Sequence, residues 1–372
     1  MARGIADPPR ARFAAALCVT LLALTGCGRE SGGLGFAPND EELICDWDPQ
    51  FLADGGVGKD GIPALTNPLF LPAEPRVEEI SYFRPTDRII AYWSSGEWLV
   101  IPLNIMWRHE IVNLPEVAIT YCPLTGSAMG FARQSVGGAE FGVSGLVYFS
   151  NLVMYDRNNP ESLWPQMFSE ARCGPRTGQR LDRVPVIEMP WEAWIELHPD
   201  SKVLALTPEM FDPAIYFGNP YGSSYADPNN PDYLGFPIVL DDRRPPKELV
   251  LGIPDGEGGG IAYPFLAMAE VGDLAVFEFE YNGQAAIVLF DAQRQSAMAY
   301  STTVDGQPAT IRVTEGGFVD DVSGTTWAVD GTPVAGPFVG TNRRLRSIAE
   351  AYVAYWGAWA AFNPDAELAL GG

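Results

Sequence analysis

The sequence predicts an α+β, strand-dominated fold: a tandem duplication of two related domains with short helices and pseudo-twofold internal symmetry. Three observations predict it. Glycine (39) and proline (32) recur along 372 residues, implying many turns and disfavouring a helical bundle. Between the turns lie strand-length runs rich in β-branched and aromatic residues, such as "RIIAYWSS" and "LVYFSNLVMYD". The third observation is that a long block is written twice, the signature of a repeated structural unit.

The first copy, "ESLWPQMFSEARCGPRTGQRLDRVPVIEMPWEAWIELHPDSKVLAL", begins at Glu161, and the second, "GTTWAVDGTPVAGPFVGTNRRLRSIAEAYVAYWGAWAAFNPDAELAL", at Gly324. Trp164 matches Trp327, Gly174-Pro175 matches Gly336-Pro337, and Trp194 matches Trp359. Upstream, "EWLVIPLNIMWRHEIVNLPEVAITYC" lies over "GGIAYPFLAMAEVGDLAVFEFEYN", setting Glu110 on Glu270 and Tyr121 on Tyr281. The expected organisation is a leader at 1–26, an extended segment at 27–75, a site-bearing repeat domain at 76–207, a Pro/Tyr-rich linker at 208–246 and a degenerate copy at 247–372.

Each element of a copy has a local reason. A strand ("RIIAYWSS", "LVLGIP") leads to a short helix ("PLNIMWRHEIVN", "PFLAMAEVGD") opened by proline, whose missing N–H costs nothing in the first helical turn. Strands follow: "EVAITYC" and "LVYFSNLVMYD", then "LAVFEFEY" and "AAIVLFD". A late helix closes each copy, "PWEAWIELHP" and "EAYVAYWGAWAAFNP", with tryptophans and apolar residues at helical spacing.

The N-terminus indicates the compartment. Arg3, Arg10 and Arg12 precede the apolar run "FAAALCVTLLALTG", which is short for a membrane span and ends in small residues, as a signal peptide does. Leu24-Thr25-Gly26-Cys27 resembles a bacterial lipobox, which would make Cys27 the lipidated first mature residue. The expectation is an exported, membrane-anchored lipoprotein of the bacterial cell envelope, periplasmic or on the outer face. A formal net charge of -23 opposes binding to phosphate backbones, so nucleic acid is not an expected partner.

With the leader removed and Cys27 lipidated, Cys45, Cys122 and Cys173 remain. One disulfide can form and one thiol is left over. Cys173 is the favoured partner, for Cys122 or for Cys45, and spacing does not rank the two.

Features common to both copies belong to the scaffold, and features of one copy are candidates for chemistry. His109 falls on Ala269, Cys122 on Asn282, His198 on Asn363 and Cys173 on Ala335, so the second copy lacks every histidine and cysteine. A histidine near a cysteine lowers the thiol pKa and makes a nucleophile. The same pair, with Glu110, could instead serve a soft metal. His198, after a helix, reads as a capping or packing residue. Ser144 lacks a nucleophile elbow and has only His109 to activate it. The glycines of "PDGEGGGIAYP" lack a phosphate-loop lysine and read as a hairpin turn.

The blocks "GGVGKDGIPALTNPLF", "RHEIVN", "TYCPLTGSAMGF", "FGVSGLVYFSNLVMYDR", "SLWPQ" and "AWAAFNPD" resemble the prokaryotic domain-of-unknown-function 3179 family, from about Asp46 to Leu370. The resemblance implies an exported or lipid-anchored envelope protein and brings no activity with it. Many relatives carry Cys-Pro-Leu-Cys in the central block, where this chain has Thr125 as the last residue. That departure weakens any reading based on a Cys-x-x-Cys redox couple or a two-thiolate metal site, and leaves Cys122 to act alone or with the distant Cys173. The family motif residues Lys59, Asp60, His109, Glu110, Cys122, Ser144, Asn151, Asp156 and Gln166 are the ones expected to line a shared pocket, with loop capping as the simpler role for Asp60 and Asp156.

Two functional expectations result. One is a thiol or soft-metal site centred on Cys122 and His109, with Glu110 beside them. The other is a non-catalytic ligand-binding or envelope-assembly lipoprotein that uses the interdomain cleft. No particular cofactor is implied, and the partners expected are the membrane, through Cys27, and a small molecule or metal.

Overall fold

The computed structural model describes residues 45–74 and 80–370. The leader, Cys27 and the rest of the segment before residue 45 lie outside the described residues. Strands dominate, with four short α-helices: α1 Leu103–His109, α2 Trp191–Leu197, α3 Phe265–Val271 and α4 Trp356–Phe362. Each has 7 residues, too few to persist alone in water, so packing holds them. Ile105 and Met106 of α1, Trp194 of α2, Met268 of α3 and Trp359 of α4 are all completely buried.

Three helices start directly after a proline (Pro102, Pro190, Pro264), which occupies the cap rather than the first turn, with the extended backbone that leaves the preceding strand. The helix expected over "PLNIMWRHEIVN" stops at His109, because Glu110 turns left-handed (φ 55) and Ile111–Asn113 becomes a strand. The helix expected over "EAYVAYWGAWAAFNP" begins only at Trp356. Tyr352–Tyr355, alternating with Val353, pairs instead with Leu249–Gly252 as a strand. Here sheet pairing outweighs the helical spacing of the aromatics.

Two sheets have the same connectivity. One runs Ile187–Pro190, Arg88–Ser94, Glu97–Pro102, Lys202–Leu204, with Phe70–Pro72 at its edge. The other runs Tyr352–Tyr355, Leu249–Pro254, Gly260–Pro264, Glu367–Leu368. In both, the first three strands are antiparallel and the fourth lies parallel to the third. The first strand reaches the fourth through α2 in one sheet and through α4 in the other.

Two hairpins also share a register. Val117–Cys122 pairs Ser127–Ala132 with Cys122 opposite Ser127, and Gln284–Asp291 pairs Ser296–Ser301 with Asp291 opposite Ser296. Ser-Ala-Met opens the return strand in both. By this register Cys122 corresponds to Asp291 rather than to Asn282. Counting from Pro102 and Pro264, the residue matching His109 is Val271, not Ala269. Past the helices the two segments also differ in length, since Ile111–Asn113 has 3 residues where Leu274–Tyr281 has 8.

The core joins residues from both halves of the chain. One cluster joins Phe141, Met154 and Trp164 to Trp356, Trp359 and Phe362. A second joins Trp98 and Trp194 to Tyr300, Trp327 and Val329. The described residues accordingly form one compact unit. Gly252 shows how close the packing is: a Cβ there would lie 1.7 Å from Trp359 Nε1. No helix among the described residues is long and apolar enough to cross a membrane.

Candidate functional site

Cys122 ends its strand almost completely buried. Its Sγ accepts from the Leu152 N–H at 3.3 Å and lies 3.8 Å from the Ser150 carbonyl. Burial, reinforced by the negative potential of Glu110, pushes the thiol up to about 11. His109, the last residue of α1, is engaged elsewhere: Nδ1 is 2.7 Å from the Pro63 carbonyl and Nε2 is 2.8 Å from the Tyr216 hydroxyl. No hydrogen bond joins it to Cys122, and burial lowers its pKa.

The expected imidazole-activated thiolate is therefore corrected: the neutral thiol is the favoured form. Both His109 ring nitrogens are hydrogen-bonded, and the described residues contain no group of three His, Cys, Asp or Glu able to hold an ion. The left-handed turn at Glu110 (φ 55) ends the helix, and the Tyr121 N–H donates to the Glu110 carbonyl at 2.8 Å, so the helix end stays beside the Cys122 strand while the His109 ring is engaged by Pro63 and Tyr216.

Glu110 is the unexpected member. It is 7% exposed, no hydrogen bond or ion pair reaches its carboxylate among the described residues, and burial pushes it up to about 8. Its charge acts on Cys122 and on Tyr221 of the linker.

The remaining candidates fall into separate places. Gln166 and Asn151 meet in a buried polar cluster beside the Cys122 turn. The Gln166 Oε1 accepts from Ser127 Oγ at 2.7 Å and Asn151 Nδ2 at 2.8 Å, while its Nε2 donates to Thr120 Oγ1 at 2.9 Å. Asn151 also donates to Thr125 Oγ1 at 2.9 Å and accepts from the Met167 N–H at 3.1 Å. Such a saturated cluster fixes strand positions and leaves no free group for a ligand.

Ser144 donates to the Val153 carbonyl and accepts from the Leu146 N–H at 3.1 Å, so its hydroxyl is committed to the backbone. Asp156 is fully buried and accepts from Trp164 Nε1 at 2.8 Å and from the Ser162 and Asn158 N–H groups, a capping role. Asp320 accepts from Trp327 Nε1 at the same 2.8 Å. Lys59 pairs with Glu161 above the Tyr155 ring, and Asp60 holds Tyr155 and Arg157, both at the surface. The nine motif residues thus do not line one pocket.

Cys173 is bonded to Cys45, which decides between the two pairings and leaves Cys122 free. His198 caps the end of α2 and packs on Trp194, while its Nε2 reaches Asp330 Oδ2 at 2.6 Å.

A cavity of about 400 Å³ lies between the halves of the chain, and the sequence reading did not find its residues. Tyr121 and Gly126 of the Cys122 hairpin form one wall, α3 with Phe265 and Leu266 another, and Tyr355 closes it. The Tyr355 N–H donates to the Thr125 carbonyl at 2.8 Å, tying the hairpin turn to the second half. Gly126, at φ +61, is required twice over, because a Cβ would also meet the Tyr355 ring at 2.8 Å.

Lys247 and Glu248 in the cavity lining are hydrogen-bonded, to the Tyr225 and Asp232 carbonyls and to Arg244, but several other polar groups there lack a hydrogen bond among the described residues. Glu188 is 6% exposed, has Arg88 Nε at 4.0 Å as its nearest cation, and burial pushes it up to about 7. The hydroxyls of Tyr121 and Tyr355 have no hydrogen-bond partner among the described residues, and burial raises both pKa values. Arg88 gives Nη1 to the Gln295 carbonyl at 3.0 Å, and its Nη2 has no partner. The only sequence signal was an acid in an otherwise apolar strand, "VIEMP".

Fold and site together define a strand-dominated α+β protein with a mostly apolar cleft between two interlocked halves. The family model for proteins of unknown function designated DUF3179 matches residues 59–366, and the chain belongs to that family. No curated protein and no solved structure matches it.

Proposed function

We propose that this chain is an exported lipoprotein of the bacterial cell envelope, anchored through Cys27, that binds a small molecule in the cleft between two duplicated halves. The shared sheet connectivity, the common hairpin register and the paired Trp–Asp hydrogen bonds support a tandem duplication with pseudo-twofold symmetry over 76–207 and 247–372. Anchoring and export rest on the leader and the Leu24–Cys27 sequence.

One observation carries the binding reading: three nearly buried polar side chains without a hydrogen bond among the described residues, Tyr121, Glu188 and Tyr355, converge on a mostly apolar cleft of ligand size. A preformed apolar pocket with a few convergent polar groups is how small-molecule sites are built. Ala269 lines the cleft on α3, where Ala269→Trp fills it from an exposed position. The fluorescent apolar probe anilinonaphthalene sulfonate should bind the native chain and lose most of that binding in Ala269→Trp. Equal binding to both proteins sinks the reading.

The unpartnered Glu110 favours a second reading, thiol chemistry at Cys122, in which Glu110 takes the thiol proton. The alkylation behaviour described below tests it.

A further inference from the structure

We propose that the cleft takes an amphipathic monocarboxylic acid, its carboxylate held by Arg88, Tyr121 and Tyr355 and sharing one proton with Glu188, its apolar body lying along Leu103, Phe265 and Leu266. The inference rests on the cleft reading and adds the chemistry of the ligand.

The argument is an inventory of donors and acceptors. Arg88 has an unpartnered Nη2, and Tyr121 and Tyr355 each have a free hydroxyl, so three groups in or beside the cleft offer N–H or O–H donors. Glu188 is the one acid among them without a hydrogen bond, since Glu248 is bound by Arg244 at 2.8 Å through two nitrogens. An acceptor-rich head satisfies this set. A cationic head would face Arg88 and Lys247, and a lone hydroxyl would satisfy only part of it. A dianionic head would be repelled by Glu188 and Glu248. A monocarboxylate can accept from the two phenols and the guanidinium while its second oxygen meets the Glu188 carboxyl.

Two carboxyl groups at hydrogen-bond distance cannot both be ionised, so the pair keeps one proton. Burial already pushes Glu188 up to about 7 in the free protein. The groups that face it are Arg88 from the neighbouring strand Arg88–Ser94, Tyr121 from Val117–Cys122, Tyr355 from Tyr352–Tyr355, and Lys247 and Glu248 across the cleft. Arg88 alone favours the Glu188 carboxylate. Binding above the free-protein value then requires uptake of a proton, and affinity falls about tenfold per pH unit there.

The test is calorimetric titration of octanoate, octanol and octylamine into the full chain at pH 6 and pH 8. The expected result is that octanoate binds best and is about tenfold weaker at pH 8, with that pH dependence lost in Glu188→Gln and affinity reduced in Tyr121→Phe and Tyr355→Phe. Octanoate binding that is equal at both pH values, or weaker than that of octanol or octylamine, overturns the inference. If octanol or octylamine binds instead and Ala269→Trp abolishes it, the cleft remains the site and only the head-group chemistry falls. If none of the three binds, or Ala269→Trp changes nothing, the cleft reading falls with the inference.

Discussion

Replacing Glu110 by glutamine should make the protein more stable above neutral pH, which inverts the usual effect of a substitution in a core. The carboxyl is 7% exposed, has no partner and is pushed from 4.5 to about 8. A raised folded-state pKa means that the acid contributes nothing adverse below pH 4.5, where both states are protonated. Stability is then lost as pH rises, at up to about 1.4 kcal/mol per pH unit, until the folded state also ionises near 8. The accumulated penalty is on the order of 4–5 kcal/mol.

Glutamine is nearly isosteric and uncharged, so Glu110→Gln should match the native chain near pH 4.5 and exceed it by a few kcal/mol at pH 9. Urea denaturation of both proteins between those limits gives the difference directly, and the contribution of Glu188 cancels because it is common to both. A variant less stable than the native chain at pH 9 would refute the reasoning, since it would mean that the carboxylate has a favourable partner.

Three further outcomes follow from the same geometry. Cys122 should resist iodoacetamide at pH 8 in the folded chain and react only on unfolding, because burial holds the thiol near 11; rapid labelling of the native protein, with Glu110→Gln slowing it, would instead favour the thiol reading. Replacing Cys45 and Cys173 together by alanine should cost about 5 kcal/mol, from the 128-residue separation that the bond closes, and calorimetry should show a clear fall in Tm, whereas an unchanged Tm would contradict the bond's role. Gly252→Ala should destabilise by about 3 kcal/mol or more, since the new methyl would occupy the place of the Trp359 indole; red-shifted tryptophan fluorescence would accompany it.

The strand-dominated α+β architecture with short helices was legible in the turn residues and the strand-length runs between them. Trp164 and Trp327, which the sequence pairs, each donate to a buried aspartate, and the strands that carry "RIIAYW" and "LVLGIP" were recognisable. What failed was local conformation. Glu110 adopting positive φ ended α1 early, and nothing in "WRHEIVN" marks a non-glycine residue for that conformation. Tyr352–Tyr355 reads as helix by spacing and is strand by pairing.

The site was less legible for a related reason. Asn151, Gln166 and Asp156 saturate buried backbone and side-chain hydrogen bonds, a scaffold role that the residue types alone do not distinguish from a reaction. The groups left unsatisfied, Glu110, Glu188, Tyr121 and Tyr355, are distant in sequence and carry no common motif. Their meaning appears only once Tyr355 is brought against Gly126.

The mixed core has a consequence for biosynthesis. A chain that emerges N-terminus first completes the strands from Arg88 to Asp156 long before α4 exists, yet Phe141, Met154 and Trp164 share their cluster with Trp356, Trp359 and Phe362. Until those last aromatics arrive, the first half is a template with an open apolar face, a surface that holdase chaperones recognise. Synthesis halted before α4 would leave that face uncovered, so the closing helix acts as the final checkpoint on the product.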